Sequence, residues 1–222
     1  MGRSQVAKAE THDRIVQIAS ERIREAGLDG VSVADLMKEA GLTVGGFYKH
    51  FTTREDLVAE AVARGQGAWQ ARMAKATLEE EKPTIAGLID GYLSVAHRDA
   101  PGHGCPAGAL VGEIARSGPQ TRALFTEGLK DALVLLIDRL RAAGNEADNA
   151  TLRKTAISIY SAMIGAIGAA RAVDDPALSE EIMRSTAAQL KALALPPEAT
   201  RRPGVGGRHT PRSQPSKRSF TA

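Results

Sequence analysis

The chain has 222 residues, enough to bury a substantial core in one or two domains. Only 4% of the residues are aromatic, and β-branched residues in period-two alternation are scarce. This composition indicates an all-α protein and argues against strand-based enzyme folds. Residues 1–56 contain 8 basic and 9 acidic side chains, whereas residues 196–222 contain 6 and 1, so the net charge of +3 originates in the tail. Net charge therefore does not identify a DNA-binding face.

The expected location of the protein is the cytoplasm. Residues 1–14 lack the apolar core of a signal peptide, and the longest apolar stretch, residues 156–170, is shorter than the roughly 20 residues that span a bilayer. A single cysteine excludes an internal disulfide, so Cys105 is expected to be a free thiol. We expect no membrane segment, no bound metal and no cofactor.

The first two helices are predicted from apolar spacing. Between residues 12 and 26 apolar residues recur every three or four positions, which predicts an amphipathic helix that Gly27 ends. Its apolar stripe is Ile15, Ile18, Ala19, Ile23 and Ala26. Ser32 and Asp35 form a helix-start signal, and Gly41 ends this second helix.

A very short third helix is predicted from Thr43 to His50, and Thr53 with Asp56 begins a fourth. Proline-rich and glycine-rich breaks divide the remainder into about five further helical stretches, for nine in all. These breaks are Pro83, residues 101–106, Pro119, residues 144–149 and Pro176.

This pattern predicts three segments. Residues 8–54 form a segment of three short helices, and residues 55–195 form a larger helical domain. Residues 196–222 combine Pro, Gly, Ser, Thr and Arg with few apolar residues, which predicts a disordered basic tail. That tail either adds salt-sensitive attraction to DNA or is simply a solvated end.

The third predicted helix has the chemistry of a groove-reading element. Thr43, Val44, Gly45 and Gly46 are small enough for the major groove. Two adjacent glycines cost a short helix roughly 1 kcal/mol each relative to alanine. Close backbone approach to DNA explains that cost, and the alternative is a merely loose loop.

The residues that follow divide between core and surface. Phe47 and Phe51 are four positions apart, so both are predicted to face inward. Tyr48, Lys49 and His50 lie on other faces and can contact phosphate oxygens. Ser32 is either a phosphate contact or a simple helix cap.

Residues 32–57 jointly resemble the DNA-binding signature of the tetracycline-repressor (TetR/AcrR-type) family. The resemblance lies in Thr43, Gly45, the Phe47-Tyr48-x-His50-Phe51 cluster and the Arg54-Glu55-x-Leu57 helix start. The close match covers about a quarter of the chain. It implies a dimeric DNA-binding transcriptional regulator, a repressor that a small-molecule effector or thiol modification releases from a palindromic operator, and not an enzyme. It also implies that residues 8–54 are a helix-turn-helix DNA-binding domain and residues 55–195 an effector-binding and dimerisation domain.

The same resemblance implies roles for single residues. Tyr48, His50 and Arg54 match phosphate contacts, and Thr43, Val44 and Gly45 match base or groove contacts. Val44 stands where a polar base reader often occurs, so the operator sequence is left open. Effector identity and the direction of control are left open as well.

A face of small residues predicts the dimer interface. Between residues 155 and 173 such residues recur with a 4,3,4,3 spacing, which makes one smooth helix face. They are Ser158, Ala162, Gly165, Ala169 and Ala172. The resemblance implies that this helix and the next, residues 176–195, form a four-helix bundle in the dimer. A helix contact within one chain is the alternative.

Effector candidates are the aromatic residues Trp69, Tyr92 and Phe125, together with His97. They either line a cavity for a small, largely apolar effector or belong to an ordinary core.

Cys105 and its neighbour His103 support two further hypotheses. Pro106 suits the first helical position, which makes Cys105 the N-cap, where the helix dipole favours a thiolate. A nearby glycine-cysteine pair resembles that of electrophile-sensing or oxidant-sensing members of the family. Cys105 is therefore either a redox sensor or a small buried hydrophobe. The alternative function is a small helical thiol-dependent or metal-dependent enzyme using His103 and Cys105, although no fourth metal ligand is evident.

Overall fold

A computed structural model of the chain describes residues 3–75 and 84–195. These two ranges contain nine α-helices, two 3₁₀ helices and no strand, which confirms the all-α prediction. The α-helices are α1 (Arg3–Ala26), α2 (Val33–Glu39), α3 (Arg54–Lys75), α4 (Ile85–Tyr92), α5 (Val95–Asp99), α6 (Pro106–Ile114), α7 (Pro119–Ala142), α8 (Asn149–Ala172) and α9 (Pro176–Ala194). The 3₁₀ helices are Val44–Lys49 and Pro101–His103. The predicted tail, 196–222, lies outside the described residues.

The predicted helix-start signals form hydrogen bonds. The Ser32 hydroxyl accepts the Asp35 N–H at 3.1 Å. The Thr53 N–H donates to the Asp56 carboxylate at 2.8 Å, and the Asp56 N–H donates to the Thr53 hydroxyl at 3.1 Å. This reciprocal pair satisfies backbone donors that the first turn of α3 would leave free.

Two breaks differ from the predicted pattern. The third predicted helix is a single stretch of 3₁₀ helix, Val44–Lys49, whose two glycines disfavour a longer α-helix. A further break separates α4 from α5, where the Ser94 hydroxyl accepts the His97 N–H at 3.2 Å. No proline lies at that break, and its one nearby glycine, Gly91, is within α4, so the division by prolines and glycine-rich segments missed it.

The N-terminal core extends beyond the first three helical segments. It also includes the first half of α3 and two residues of α6, Leu110 and Ile114. The remaining buried members are Ile15, Val16, Ala19, Ile23, Leu28, Leu36, Met37, Ala40, Phe47, Phe51, Leu57, Val58, Ala61 and Val62. The division predicted at residue 54 stays a prediction, but the core it delimits continues to Val62.

The second core lies among α4, α7, α8 and α9, and the C-terminal half of α3 packs against it through Trp69 and Met73. Within the parts of the chain described, α8 is the one helix long and apolar enough to cross a membrane. Its 24 residues exceed the stretch considered from sequence alone. One side of α8 packs in this core through Ile159, Met163 and Ile167.

A buried arginine joins the two parts of the molecule. Arg24 of α1 donates to the Ser20 hydroxyl at 2.7 Å and to the Gly102 carbonyl oxygen at 2.9 Å. Ser20 in turn donates to the Ala61 carbonyl oxygen of α3 at 2.7 Å. Arg24 also fills the space beside Gly65, where a Cβ atom would collide with its guanidinium. The network therefore fixes α1 against α3 and the segment that precedes α6.

Replacing Arg24 with alanine tests this network. Arg24→Ala leaves the Ser20 hydroxyl and the Gly102 carbonyl without their partner, so the free energy of unfolding is expected to fall by about 2–4 kcal/mol. Arg22→Ala is the matched control, because Arg22 lies on the same helix in exposed ion pairs with Glu25 and Glu39 and should matter little. Equal midpoints for the two variants in urea unfolding would contradict the assignment.

Candidate functional site

The 3₁₀ helix Val44–Lys49 presents one buried face and one open face. Phe47 and Phe51 are 2% and 3% exposed in the N-terminal core, which confirms their inward orientation. Tyr48 is 76% exposed and Val44 50%. Thr43 and Lys49 are also exposed, and the Thr43 hydroxyl makes no capping hydrogen bond. Small and polar groups are therefore available on this face for a partner.

The backbone at Gly45 borders open space. A Cβ atom built there meets no heavy atom within 4 Å, and Gly45 does not have a positive φ. A Cβ at Gly46 would lie an ordinary 3.5 Å from the Met37 methyl group. Nothing within the described fold therefore requires glycine at position 45.

Ser32 acts as a helix cap. Its hydroxyl accepts the Asp35 N–H and donates to the Asp35 carboxylate at 2.5 Å. The capping interpretation is thus supported by geometry, whereas a phosphate contact by Ser32 stays a prediction.

His50 lies at the edge of a polar cleft between α1 and the 3₁₀ helix, which Lys8, His12 and Lys49 also line. Its ring is 5.9 Å from that of His12, and its buried Nδ1 atom has no partner among the described residues. Burial, followed by the charges of His12, Lys8 and Lys49, lowers the pKa of His50 below its usual value. At neutral pH His50 is therefore an uncharged hydrogen-bonding group rather than a cation.

Arg54 has a role that the motif did not predict. Its guanidinium donates to the carbonyl oxygens of Leu28 and Val31 and lies 3.4 Å from Asp29. Arg54 thereby holds the loop between α1 and α2 against the start of α3. Its removal would disturb this loop, so an alanine variant cannot test a phosphate contact in isolation, and that contact stays a prediction.

A narrow apolar cavity lies between α3, α4, α6, α7 and α8. Its empty space, with the open mouth included, amounts to about 560 Å³. Two of the predicted effector residues, Trp69 and Tyr92, line it, as does Cys105. Phe125 packs against both cores instead of lining it. His97 stacks on Trp69, with ring centroids 4.6 Å apart, and lines an adjacent cleft with His103.

His97 supports the cavity wall as a neutral ring. Its Nδ1 lies 2.7 Å from the Tyr92 carbonyl oxygen, and its Nε2 is 3.0 Å from the Cys105 N–H. The carbonyl can only accept and the N–H can only donate, so the proton resides on Nδ1. Burial lowers the pKa of His97 to about 4. A neutral His97 thus fixes the backbone on either side of the cavity.

The structure favours the second of the two alternatives for Cys105, a small buried hydrophobe. The residue does occupy the N-cap position of α6, but its side chain is 5% exposed, and Gly102, Gly104 and Pro106 beside it are buried. Burial raises the pKa of the thiol, and this outweighs the helix N-terminus, whose N–H groups lower it. His103 is exposed and lies 4.0 Å from Glu21. Cys105 is therefore a buried thiol in this structure, and the sensor hypothesis stays a prediction.

Alkylation kinetics test the buried state. Iodoacetamide at pH 7.5 should modify Cys105 at least about tenfold more slowly in the folded protein than in urea, because the pKa is raised and access is blocked. The chain has one cysteine, so mass spectrometry reports this site alone. Equal rates in both states would restore the sensor hypothesis.

The small-residue face of α8 is open in the single chain. Ser158, Gly165, Ala169 and Ala172 are exposed, and Ala162 is half-buried. A Cβ at Gly165 meets no atom within 4 Å. Ile157 of α8 and Leu178 and Leu193 of α9 add apolar side chains that are 44%, 42% and 47% exposed. The exposed members of this face therefore make no close contact within the described chain, and its role as a dimer interface stays a prediction.

The sequence-based candidates missed several cavity residues. Gln66 and Gln70 of α3 line it, and so do Met163 and Tyr160 of α8. The spacing of Gln66, Trp69, Gln70 and Met73 places them on one helix face, and that regularity could have identified them.

Comparisons with known proteins agree with this layout. The model of the family "Bacterial regulatory proteins, tetR family" matches residues 15–61. An uncharacterized HTH-type transcriptional regulator in the lacX 3′ region of Lactococcus lactis subsp. lactis is 24% identical over 135 residues, which are 60% of this chain and 69% of that protein.

Solved structures share the fold. A TetR-family transcriptional regulator from Cytophaga hutchinsonii superposes with a TM-score of 0.69 at 20% identity, covering 84% of this chain and 96% of that one. AibR in complex with isovaleryl coenzyme A and operator DNA gives a TM-score of 0.58 at 15% identity, over 81% and 97%.

Proposed function

Because the chain belongs to the tetR family of bacterial regulatory proteins and is a DNA-binding transcriptional regulator, we propose that it is a homodimeric repressor that a small-molecule effector releases from a palindromic operator. The observation that carries this proposal is the open, glycine-containing face of the 3₁₀ helix on a rigid core. The proposal has three parts, namely DNA reading, dimerisation and effector control.

DNA reading is assigned to the open face of the 3₁₀ helix. Thr43, Val44 and Gly45 lie in the groove, where the Val44 methyl groups can touch thymine methyl groups. Tyr48 and Lys49 contact phosphates and set the register. His50 contributes a neutral hydrogen bond, consistent with the lowered pKa of its ring.

Dimerisation is assigned to α8 and α9. One 3₁₀ helix contacts only a few base pairs, so sequence specificity requires the N-terminal domains of two subunits on a two-fold-symmetric DNA site. The exposed small residues of α8 allow close helix packing, and the exposed leucines of α9 flank them. A four-helix bundle from two chains would bury both sets.

Effector control is assigned to the cavity beside α3. AibR, which shares this fold, is known in complex with an acyl coenzyme A and operator DNA. In this chain α3 connects the cavity wall at Trp69 to the N-terminal core at Leu57 and Val62. A ligand that binds more tightly to one arrangement of α3 favours that arrangement. Because α3 also packs in the N-terminal core, the DNA-contacting 3₁₀ helix changes its position with it.

Gly45→Ala tests DNA reading. The added methyl group meets no protein atom within 4 Å, so folding and dimerisation should be unchanged, whereas operator affinity should fall at least about tenfold as the methyl group blocks close approach. The operator is first selected from random duplex DNA with the parent protein, and affinity is then measured by fluorescence anisotropy.

Gly67→Ala is the control for this experiment. Gly67 is an exposed glycine of α3 with nothing within 4 Å of its Cβ position. This variant should bind the operator as the parent does. If Gly45→Ala also bound with parental affinity, the 3₁₀ helix would not be the groove-reading element.

Gly165→Leu tests dimerisation. The new side chain has free space in the single chain and should obstruct the close approach of a second α8, giving monomers that have lost operator affinity. Sedimentation velocity measures the change. Gly112→Leu places the same side chain on an exposed part of α6 and should remain dimeric. A dimeric Gly165→Leu variant would place the interface elsewhere.

A further inference from the structure

The cavity beside α3 contains two buried polar atoms that form no hydrogen bond to oxygen or nitrogen among the described residues. They are the Gln66 side-chain oxygen and the Tyr92 hydroxyl, whose neighbour is the weakly hydrogen-bonding Cys105 thiol, and both residues line the cavity. Gln66 is 8% exposed and Tyr92 3%. Buried polar groups in native proteins are nearly always paired, so two unpaired ones at one cavity indicate a ligand that pairs them.

The polarity of these atoms defines what the ligand must carry. The Gln66 amide nitrogen already donates to the Phe125 carbonyl oxygen at 3.1 Å. This bond fixes the orientation of the amide and leaves its oxygen as an acceptor. An acceptor is satisfied only by a donor, so the ligand must supply an O–H or N–H group. The Tyr92 hydroxyl can serve as donor or acceptor toward the same ligand group.

The cavity wall excludes charge. Within the described part of the chain no Asp, Glu, Lys, Arg or His side chain lines it. The nearest histidine, His97, is neutral because burial lowers its pKa to about 4. A charged ligand would lose its hydration there without gaining a counter-ion, which is strongly unfavourable.

We propose that the effector is an uncharged, mainly apolar molecule with a hydroxyl or N–H donor that binds the Gln66 oxygen beside the Tyr92 hydroxyl. This inference rests on the proposed function, because it names the class of ligand for the same cavity. Gln66 belongs to α3, and its side-chain amide nitrogen donates a hydrogen bond to Phe125 of α7. The ligand therefore contacts a side chain that connects these two helices. Its hydrogen bond therefore acts on the helix that leads to the N-terminal core.

Intrinsic fluorescence gives a direct assay. Trp69 is the chain's single tryptophan and lines the cavity, so its emission reports occupancy. Four probes of similar shape are titrated into the full-length protein, namely benzyl alcohol, toluene, benzoate and benzylammonium. Benzyl alcohol is expected to bind at least about tenfold more tightly than either ion. An ion that binds as tightly as the alcohol would overturn the proposed class.

Paired glutamine variants test the donor. Gln66→Leu should raise the ratio of the benzyl alcohol Kd to the toluene Kd at least about tenfold, because only the alcohol loses a hydrogen bond. Gln70→Leu is the matched control, since Gln70 lies one turn further along α3 and lines the same cavity. Its side chain is only half-buried and donates to the Gly128 carbonyl oxygen at 2.9 Å. That ratio should stay unchanged in this control.

Tyr92→Phe provides a second variant in case Gln66→Leu does not fold, and it should raise the same ratio. An unchanged ratio in the folded Gln66→Leu or Tyr92→Phe variant would overturn the proposal, as would a parent protein whose Trp69 emission responds to none of the four probes. Operator binding is measured in the same samples by anisotropy. If the parent protein binds no operator DNA in the absence of probes, the proposed function is refuted. If the parent binds operator DNA but the fluorescence titrations fail, only the ligand class is refuted.

Discussion

The continuity of α3 is the constraint on which the rest of the structure depends. Its first half completes the N-terminal core through Leu57 and Val62, and its second half packs Trp69 against the other core. The 22 residues of this uninterrupted helix span about 33 Å. Neither core can therefore change its packing against α3 without displacing the other, unless the helix bends or breaks.

Three side-chain contacts transmit or restrict that displacement. Arg24 binds the Gly102 carbonyl oxygen, so α1 follows the segment before α6. Glu113 of α6 accepts the Leu28 N–H, and Glu55 accepts the Thr121 hydroxyl of α7 at 2.8 Å. All three join the N-terminal core to the helices around the cavity. A conformational change in the cavity wall must therefore break these hydrogen bonds or displace the N-terminal core as well.

Local sequence signals predicted local structure well, and long-range contacts were beyond them. The capping pairs at Ser32 and Thr53 and the four-residue spacing of Phe47 and Phe51 depend on neighbours within one turn, so they could be read directly. The burial of Cys105 depends on helices distant in sequence, and there desolvation overrides the local helix-terminus effect. The hydrogen bonds of Arg54 could not be predicted either, because its carbonyl partners lie 23 and 26 residues away in the sequence.

Effector control in such a molecule must be reciprocal. If the effector lowers operator affinity by a given factor, operator DNA lowers effector affinity by the same factor, since both bind one conformational equilibrium. The proposed effector cavity and the proposed DNA-reading face lie at opposite halves of α3. Gln66 lines the first, and Phe47 and Phe51 anchor the second in the N-terminal core. Under the proposed function, an effector that hydrogen-bonds the Gln66 oxygen favours the arrangement of α3 in which that bond forms, because a buried acceptor without a partner is costly. Operator DNA favours the arrangement in which the backbone at Gly45 can approach the groove, so the two ligands compete through the position of one helix.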